Sequence, residues 1–335
     1  MSGQNVVVVT GAGGFIGGHL TRRLVEAGNT VRAVDIKPLD QWYQRTEGVQ
    51  NLAKCDLRVL ANCEVACFGA GEVYQLAADM GGAAYVFSGD YDADIMRNSA
   101  QINLNVAETA RVVGYRVFYS SSACVYPRHN QTDPNNPNCA ESSAYPADPD
   151  SLYGWEKLFS EQVYAAYARN YGIDVRMARF HNIMGPWGTW DGGREKAPAA
   201  ICRKVIEAID CGRDFIDIWG DGEQTRSFCW IGDCLDGIDR LMASDVKDPL
   251  NIGSSEMVTI NELVSIVESI AGVTLERRYN LDAPKGVRGR NSDNTLIKAR
   301  LGWEPTTPLA VGLAQTYPWI KEQYEARKAG EKVVE

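Results

Sequence analysis

The chain begins with an unbroken apolar run, Val6–Val9, that passes into glycines: "NVVVVTGAGGFIGGHL". A short continuous apolar run bounded by turn residues predicts a strand buried on both faces, then a tight turn and a helix start. After the helical "LTRRLVEAGN" comes a second strand pattern, "NTVRAVDI". "NLAKCDL", "EVYQLAA", "RVFYSSS" and "DVRMARFHN" repeat the theme, each short and rich in Val, Tyr or Leu. The helical stretches "NSAQINLNVAETARVVG" and "SLYGWEKLFSEQVYAAYARNYG" lie between them. Strand–helix alternation of this kind predicts an α/β fold, a Rossmann-type doubly wound parallel sheet with helices on both faces.

After residue 182 the pattern changes. "IMGPWGTWDGGREKAP" is a Gly- and Pro-rich loop suited to contacting a ligand, while "SFCWIGD" and "PLNIGSS" read as returns to the sheet. The expected organisation is a dinucleotide-binding domain over 1–182 with returns near 226–253. Residues 183–225 and 254–335 are expected to form a smaller, interleaved mixed α/β substrate-binding portion. The charged tail "KEQYEARKAGEKVVE" is expected to fray.

At 335 residues the chain is long enough for a sizeable core, and a net charge of -9 disfavours nucleic acid as a partner. No apolar run reaches membrane-spanning length and no charged-then-apolar leader opens the chain. The nine cysteines show no Cys-x-x-Cys spacing, so no structural metal is expected. Their odd number, without a leader, suggests reduced thiols in the cytoplasm and leaves Cys124 chemically available.

Gly11, Gly14 and Gly17 stand between the first strand and helix, with Phe15 and Ile16 among them. Glycines there let the backbone approach a pyrophosphate at the helix N-terminus. Asp35, 18 residues beyond Gly17, ends the next strand, where an acidic residue accepts from a ribose hydroxyl. Its charge would repel a 2′-phosphate, so NAD is expected over NADP, with Arg32 and Lys37 the nearby cations that oppose this preference. Ala77, after the fourth strand, is placed in the same site, and Asp56 either reaches the adenine or caps a turn.

"YGWEK" sets Tyr153 and Lys157 at i and i+4, on one helical face. A phenol is a weak base at its free pKa of about 10, and a nearby ammonium favours the phenolate. Behind a dinucleotide fingerprint and the serines of "YSSSACVYP", this pair resembles the extended short-chain dehydrogenase/reductases that act on nucleotide sugars. The resemblance implies that Ser122 polarises a substrate oxygen, Tyr153 takes a hydroxyl proton and Lys157 holds the nicotinamide ribose.

Relatives in that group carry Asp-Glu after the serine when they dehydrate, and usually Ala-Thr when they epimerise at carbon 4; this chain carries Ala123-Cys124. A free thiol, with pKa about 8.5, can shuttle a proton once cations lower it. "LAADMGG", "SSACVYP", "GGREKAPAA", "WGDGEQTRSF" and "GVRGRNSDN" together closely resemble the GDP-mannose 3,5-epimerases. The resemblance implies that NAD transiently oxidises carbon 4, and that Cys124 and Lys196 exchange protons at carbons 3 and 5. GDP-L-galactose would result, or GDP-L-gulose from inversion at carbon 5 alone. Arg194, Arg203 and Lys204 are candidates for lowering the Lys196 ammonium. Lys204, Arg226 and Arg290 are expected on the diphosphate. Gly82, Ala123, Asn182, Glu195, Ala197, Gln224 and Thr225 are expected along the sugar or nucleotide.

A GDP-fucose-synthase-like epimerase–reductase is the nearest enzyme alternative. It pairs the cysteine with a histidine and uses NADPH, whereas His19, His129 and His181 all lie outside the "GGREKAP" loop. An idle NAD-sensing regulator is the non-enzyme alternative; it would be expected to lose Tyr153, Lys157 or Cys124. His181 and Cys63, Cys67 and Cys229 are read as packing residues, and Trp187 and Trp190 as either substrate-stacking or loop-pinning. A homodimer is expected from the resemblance alone.

Overall fold

The computed structural model describes residues 6–283 and 286–333. Six strands, β1 (Val6–Thr10), β2 (Thr30–Asp35), β3 (Gln50–Ala53), β4 (Ala70–Gln75), β5 (Arg116–Ser122) and β6 (Val175–Phe180), are joined by Leu250–Ile252 in one sheet. The strand order is Leu250–Ile252, β6, β5, β4, β1, β2, β3, and every pairing is parallel. The order reverses between β1 and β4, so a crevice opens at the carboxyl ends of these two strands, the place where such sheets bind ligands.

The valine run alternates between two cores. Val7 and Val9 pack with Leu20 and Leu24 of α1 (Phe15–Glu26). Val8 packs on the other face with Cys63 and Cys67 of α2 (Leu60–Cys67) and with Val106 and Tyr164. Both faces are therefore covered, which is why the strand reads as continuously apolar. The remaining helices include α3 (Ala83–Val86), α4 (Asp92–Val113), α5 (Leu152–Tyr171), α6 (Ala197–Asp210) and α7 (Ile231–Ala243).

A third core joins Ile201, Val205 and Ile206 of α6 to Ile216, Val264, Leu313 and Ile320. Beside it, Thr225–Ser227 pairs antiparallel with Met257–Thr259 and parallel with Gly289–Arg290, opposing Arg226 to Arg290. Gly289 is required there, because a Cβ would lie 2.6 Å from the Asp133 carbonyl oxygen. Phe215–Trp219 pairs with Glu276–Asn280.

Two expectations are corrected. "SFCWIGD" does not rejoin the main sheet; Cys229–Trp230 pairs with Ile183–Met184 as a separate two-stranded ladder. The charged tail does not fray, because the helix Leu309–Lys328 buries Tyr317, Trp319 and Ile320 and ties Arg327 to Asp191 and Lys328 to Asp210. Apolar anchors one turn earlier hold the charged turns in place. The last two residues of that tail lie outside the described residues.

Candidate active site

The glycine turn at the end of β1 is built for close approach. Gly11 has φ +66°, and a Cβ on Gly17 would lie 2.1 Å from the Gly11 carbonyl oxygen, so helix and turn interlock without side chains. Asp35 ends β2 with one carboxylate oxygen accepting from the Gly13 N–H (2.9 Å) and the other from the Lys37 N–H (2.9 Å). Each oxygen keeps a lone pair for a ribose hydroxyl. Thr10 Oγ1 accepts from the N–H groups of Leu76 and Ala77 (3.1 and 3.2 Å), which brings Ala77 against Gly11. These residues fit a dinucleotide: a cradle that a Cβ would fill, a helix N-terminus and a fixed carboxylate. Asp56 is occupied locally, with Oδ1 accepting from the Arg58 N–H (3.0 Å) and Oδ2 from Arg58 Nη2 (2.7 Å). The turn-capping role is thus realised.

Tyr153 and Lys157 rise from the start of α5, which Ser151 caps by accepting from the Gly154 N–H (3.2 Å). Lys157 Nζ donates to the Ser120 carbonyl (2.9 Å) and lies 5.7 Å from the Tyr153 ring centroid. Burial pushes the Tyr153 phenol well up, Cys124 and Glu156 add to this, and a Ser122 hydrogen bond and Arg290 oppose it. Burial pushes the Lys157 ammonium down, and Glu156, Cys124 and Glu161 hold it up. Motif reading passes over Gly154. A Cβ there would lie 2.1 Å from the Cys124 carbonyl oxygen, so its glycine lets the tyrosine helix seat on the cysteine turn.

Cys124 lies in a single 3-10 turn, Ala123–Val125, whose N-terminus Ser122 caps through Oγ to the Cys124 N–H (3.2 Å). The Ala123 side chain packs inward with Val125, Tyr126 and Leu158, leaving only its backbone for a ligand. Arg290 Nη1 donates to Cys124 Sγ (3.2 Å), Nε to Gln131 Oε1 (2.6 Å) and Nη2 to Asp150 Oδ2 (3.1 Å). Gln131 and Asp150 are further residues that motif reading missed.

Lys196 precedes α6 and is exposed in the single chain, with protein close around its ammonium. That enclosure pushes its ammonium down, Cys124 holds it up and Arg290 lowers it further. The expected cationic neighbourhood is corrected here. Arg203 is neutralised by Asp191, Glu195 and Glu207, and Arg194 lies over the Tyr85 ring at 4.0 Å. The cation that acts on Lys196 is Arg290.

The other candidates surround this cleft with differing freedom. Gly82 packs against the Glu195 carbonyl, 2.4 Å from where a Cβ would sit, so the two loops touch beside Lys196. The Glu195 carboxylate is spent on the Gly193 N–H and Arg203, and Ala197 opens α6. Asn182, at φ 41°, donates to the Ser227 carbonyl (3.0 Å). Thr225 Oγ1 donates to the Pro134 carbonyl. Gln224 donates to the Trp219 carbonyl (2.9 Å) and keeps its buried Oε1 without a hydrogen-bond partner. Lys204 Nζ donates to the Asp217 carbonyl (2.8 Å). Burial pushes the Arg226 guanidinium down to about 9, with Arg290 adding to this. Two crowded guanidiniums create a demand for an anion.

The segment 186–194 packs onto the glycine turn and the start of α1. His19 Nε2 meets the Pro186 carbonyl (2.9 Å), Tyr43 Oη meets Thr189 Oγ1 (2.7 Å), and Gly188 packs on the Phe15 ring. Trp190 is fully buried beneath Arg327, and Trp187 packs on Trp319, which realises the loop-pinning role. His181 is buried with Nε2 on Asn251 Oδ1 (2.9 Å), as expected of a packing residue, and Cys63, Cys67 and Cys229 lie in the cores. All nine cysteines are free thiols. Among the described residues no cluster could hold a metal, and no helix is long and apolar enough to cross a membrane.

Comparison with known proteins agrees with this geometry. GDP-mannose 3,5-epimerase 1 of Oryza sativa subsp. japonica is 47% identical over 325 residues, 96% of this chain and 83% of that one. GDP-mannose 3,5-epimerase of Arabidopsis thaliana is 47% identical over 326 residues, 96% of this chain and 84% of that one. A solved UDP-glucose 4-epimerase from Thermotoga maritima superposes with a TM-score of 0.82 at 25% identity, covering 95% of this chain and 99% of that one. Residues 7–253 match the NAD dependent epimerase/dehydratase family, and the chain belongs to that family.

Proposed function

We propose that this protein epimerises GDP-mannose at carbons 3 and 5 of the hexose to GDP-L-galactose, with GDP-L-gulose as the product of inversion at carbon 5 alone. The observation that carries this reading is the Cys124 thiol, bonded by Arg290 at 3.2 Å on the turn against which the Tyr153 helix seats. The identity with the plant GDP-mannose 3,5-epimerases supports the substrate.

The glycine turn and Asp35 would hold NAD, which would supply a hydride acceptor and donor for carbon 4 of the sugar. Tyr153, aligned by Ser122, receives the proton of the carbon-4 hydroxyl and gives it back at the end. Lys157, anchored on the Ser120 carbonyl, would hold the nicotinamide ribose. The resulting ketone acidifies the hydrogens on the adjoining carbons, because their carbanions delocalise as enolates. Cys124 and Lys196, on opposite faces of the ring, remove and return these protons with inversion. Enclosure and Arg290 both favour the neutral amine that a lysine base requires. Lys204 and Arg226 would bind the diphosphate, and the burial that pushes the Arg226 guanidinium down supports an anionic partner there.

Incubation with GDP-mannose in deuterated water, followed by NMR, is expected to show label at carbons 3 and 5 and the named products. The Cys124→Ser variant is expected to lose most of the exchange while still binding NAD. Folded, NAD-bound wild type with no label at either carbon would sink the reading.

The protein acts in the reducing cytoplasm as a homodimer. Leu152, Trp155 and Phe159 recur on one exposed face of α5, beside exposed Leu104 of α4, and a second copy of this chain would cover that stripe.

A further inference from the structure

Two arginines flank the candidate base in sequence, and only one is neutralised. Arg203 pairs with Asp191, Glu195 and Glu207, whereas among the described residues no hydrogen bond or ion pair engages the Arg194 guanidinium. It lies instead over the Tyr85 ring, 4.0 Å from the centroid. That ring is itself fixed from several directions. Its hydroxyl donates to Asp79 Oδ1 (2.8 Å). Asp79 is in turn held on α4, where Asn98 Nδ2 donates to its Oδ2 (2.9 Å) and its own N–H donates to Ser99 Oγ (3.0 Å). Tyr91 stacks on the ring at 4.2 Å, and a Cβ on Gly81 would lie 2.7 Å from the Tyr85 Cβ. Tyr85 is 6% exposed and shares a small core with Tyr153, against which Cys124 packs.

We propose that Tyr85 is a positioning residue for the epimerisation step: it holds Arg194, and with it the stretch Arg194–Lys196, against the Gly81–Gly82 turn. The role rests on the epimerase reading given above. The chain ahead of Arg194 supplies no such anchorage. Gly192 and Gly193 both take positive φ (+86° and +83°), so the most permissive residue type joins the docked stretch 186–191 to Arg194. The Glu195 carbonyl meets Gly82 where a Cβ would stand 2.4 Å away, so any shift of Arg194 moves the backbone next to Lys196. On the far side Glu195 pairs with Arg203 and Lys196 leads into α6, which fixes the helix end but not the direction from which the loop enters it. A ring suits this task. It attracts a guanidinium without setting a carboxylate beside the lysine, where negative charge would favour the protonated amine.

The test compares NAD-loaded wild type, Tyr85→Leu, Tyr85→Phe, Arg194→Ala and the Tyr85→Leu/Arg194→Ala double variant. Amide hydrogen exchange across 192–197 is read without substrate, and deuterium entry into GDP-mannose is read separately. Tyr85→Leu is expected to speed amide exchange there by about tenfold and to slow deuterium entry by about tenfold, the worth of a desolvated ring–cation contact. NAD affinity is expected to stay within about threefold of wild type, as for a residue that acts on the loop alone. Tyr85→Phe keeps the ring under Arg194 and is expected to stay within about threefold of wild type on both readings. Arg194→Ala is expected to match Tyr85→Leu, and the double variant to be no worse than either, because one contact is lost in all three. Amide exchange within about twofold of wild type in Tyr85→Leu, deuterium entry unchanged despite faster amides, or additive losses in the double variant each overturn the assignment. If Tyr85→Leu does not fold, Arg194→Ala, at an exposed position, decides by the same two readings. No deuterium entry with wild type overturns the epimerase reading instead, and the amide exchange still decides whether Tyr85 holds the loop.

Discussion

Gly154 shows how much a single missing atom can decide. Its neighbours Tyr153 and Trp155 carry the visible chemistry and surface, yet only a glycine lets α5 start 2.1 Å, Cβ position to oxygen, from the Cys124 carbonyl. An alanine there must push either the tyrosine helix or the cysteine turn aside. Gly154→Ala is expected to cost about 3 kcal/mol in a denaturant titration, the upper range for overpacking a rigid site. Its turnover is expected to fall by more than that loss of folded protein explains, because Tyr153 and Cys124 lose their mutual placement. Activity corrected for the folded fraction separates the two effects. Sequence spacing makes Tyr153, Lys157 and the glycine turn legible, because each motif is local. Arg290's partners are not legible in that way. They lie 166, 159 and 140 residues away, and no local pattern encodes a contact closed over that length of chain.

Among elements, strand patterns were readable in proportion to how completely they are buried. β1, β2 and β4 to β6 stand where apolar runs predict them, since both faces of the sheet are covered. "SFCWIGD" has the same composition, but its partner is the two-residue strand Ile183–Met184, and residue content cannot distinguish one ladder from another. The terminal helix was misjudged because its outward face is charged while its anchors lie one turn upstream. The edge strand Leu250–Ile252 brings a pH dependence. The His181 N–H donates to the Ile252 carbonyl and its ring meets Asn251, and burial pushes the imidazole down to about 3 from 6.5. The folded state keeps this ring neutral while the unfolded chain protonates it below 6.5, so the unfolded state gains protons and stability is lost as pH falls through that window. Urea midpoints measured between pH 7 and pH 5 are expected to fall, with His181 contributing up to about 1.4 kcal/mol per unit once below its unfolded pKa.

At the scale of the whole molecule, the exposed stripe on α5 makes the state of assembly testable. Leu152, Trp155 and Phe159 share one helical face and are between 40% and 46% exposed in the single chain. Trp155→Glu is expected to turn a dimer into a monomer by light scattering, because burying an unpaired carboxylate at an apolar interface is strongly unfavourable. A wild-type monomer at micromolar concentration would remove the proposed interface.

The crossing segment 186–194 has a consequence for how such a protein can vary. Lys196 takes its position from a loop clasped by Phe15, His19 and Tyr43, none of which belongs to its own core. Substitutions at those three positions are therefore expected to disturb the placement of Lys196, and with it the proton transfer proposed for it, although they sit beside the dinucleotide turn. Inheritance of the proposed base and inheritance of the cofactor fold are thereby bound together. A graft of the 186–196 segment onto another member's glycine turn is expected to keep Lys196 in place only if those three side chains travel with it.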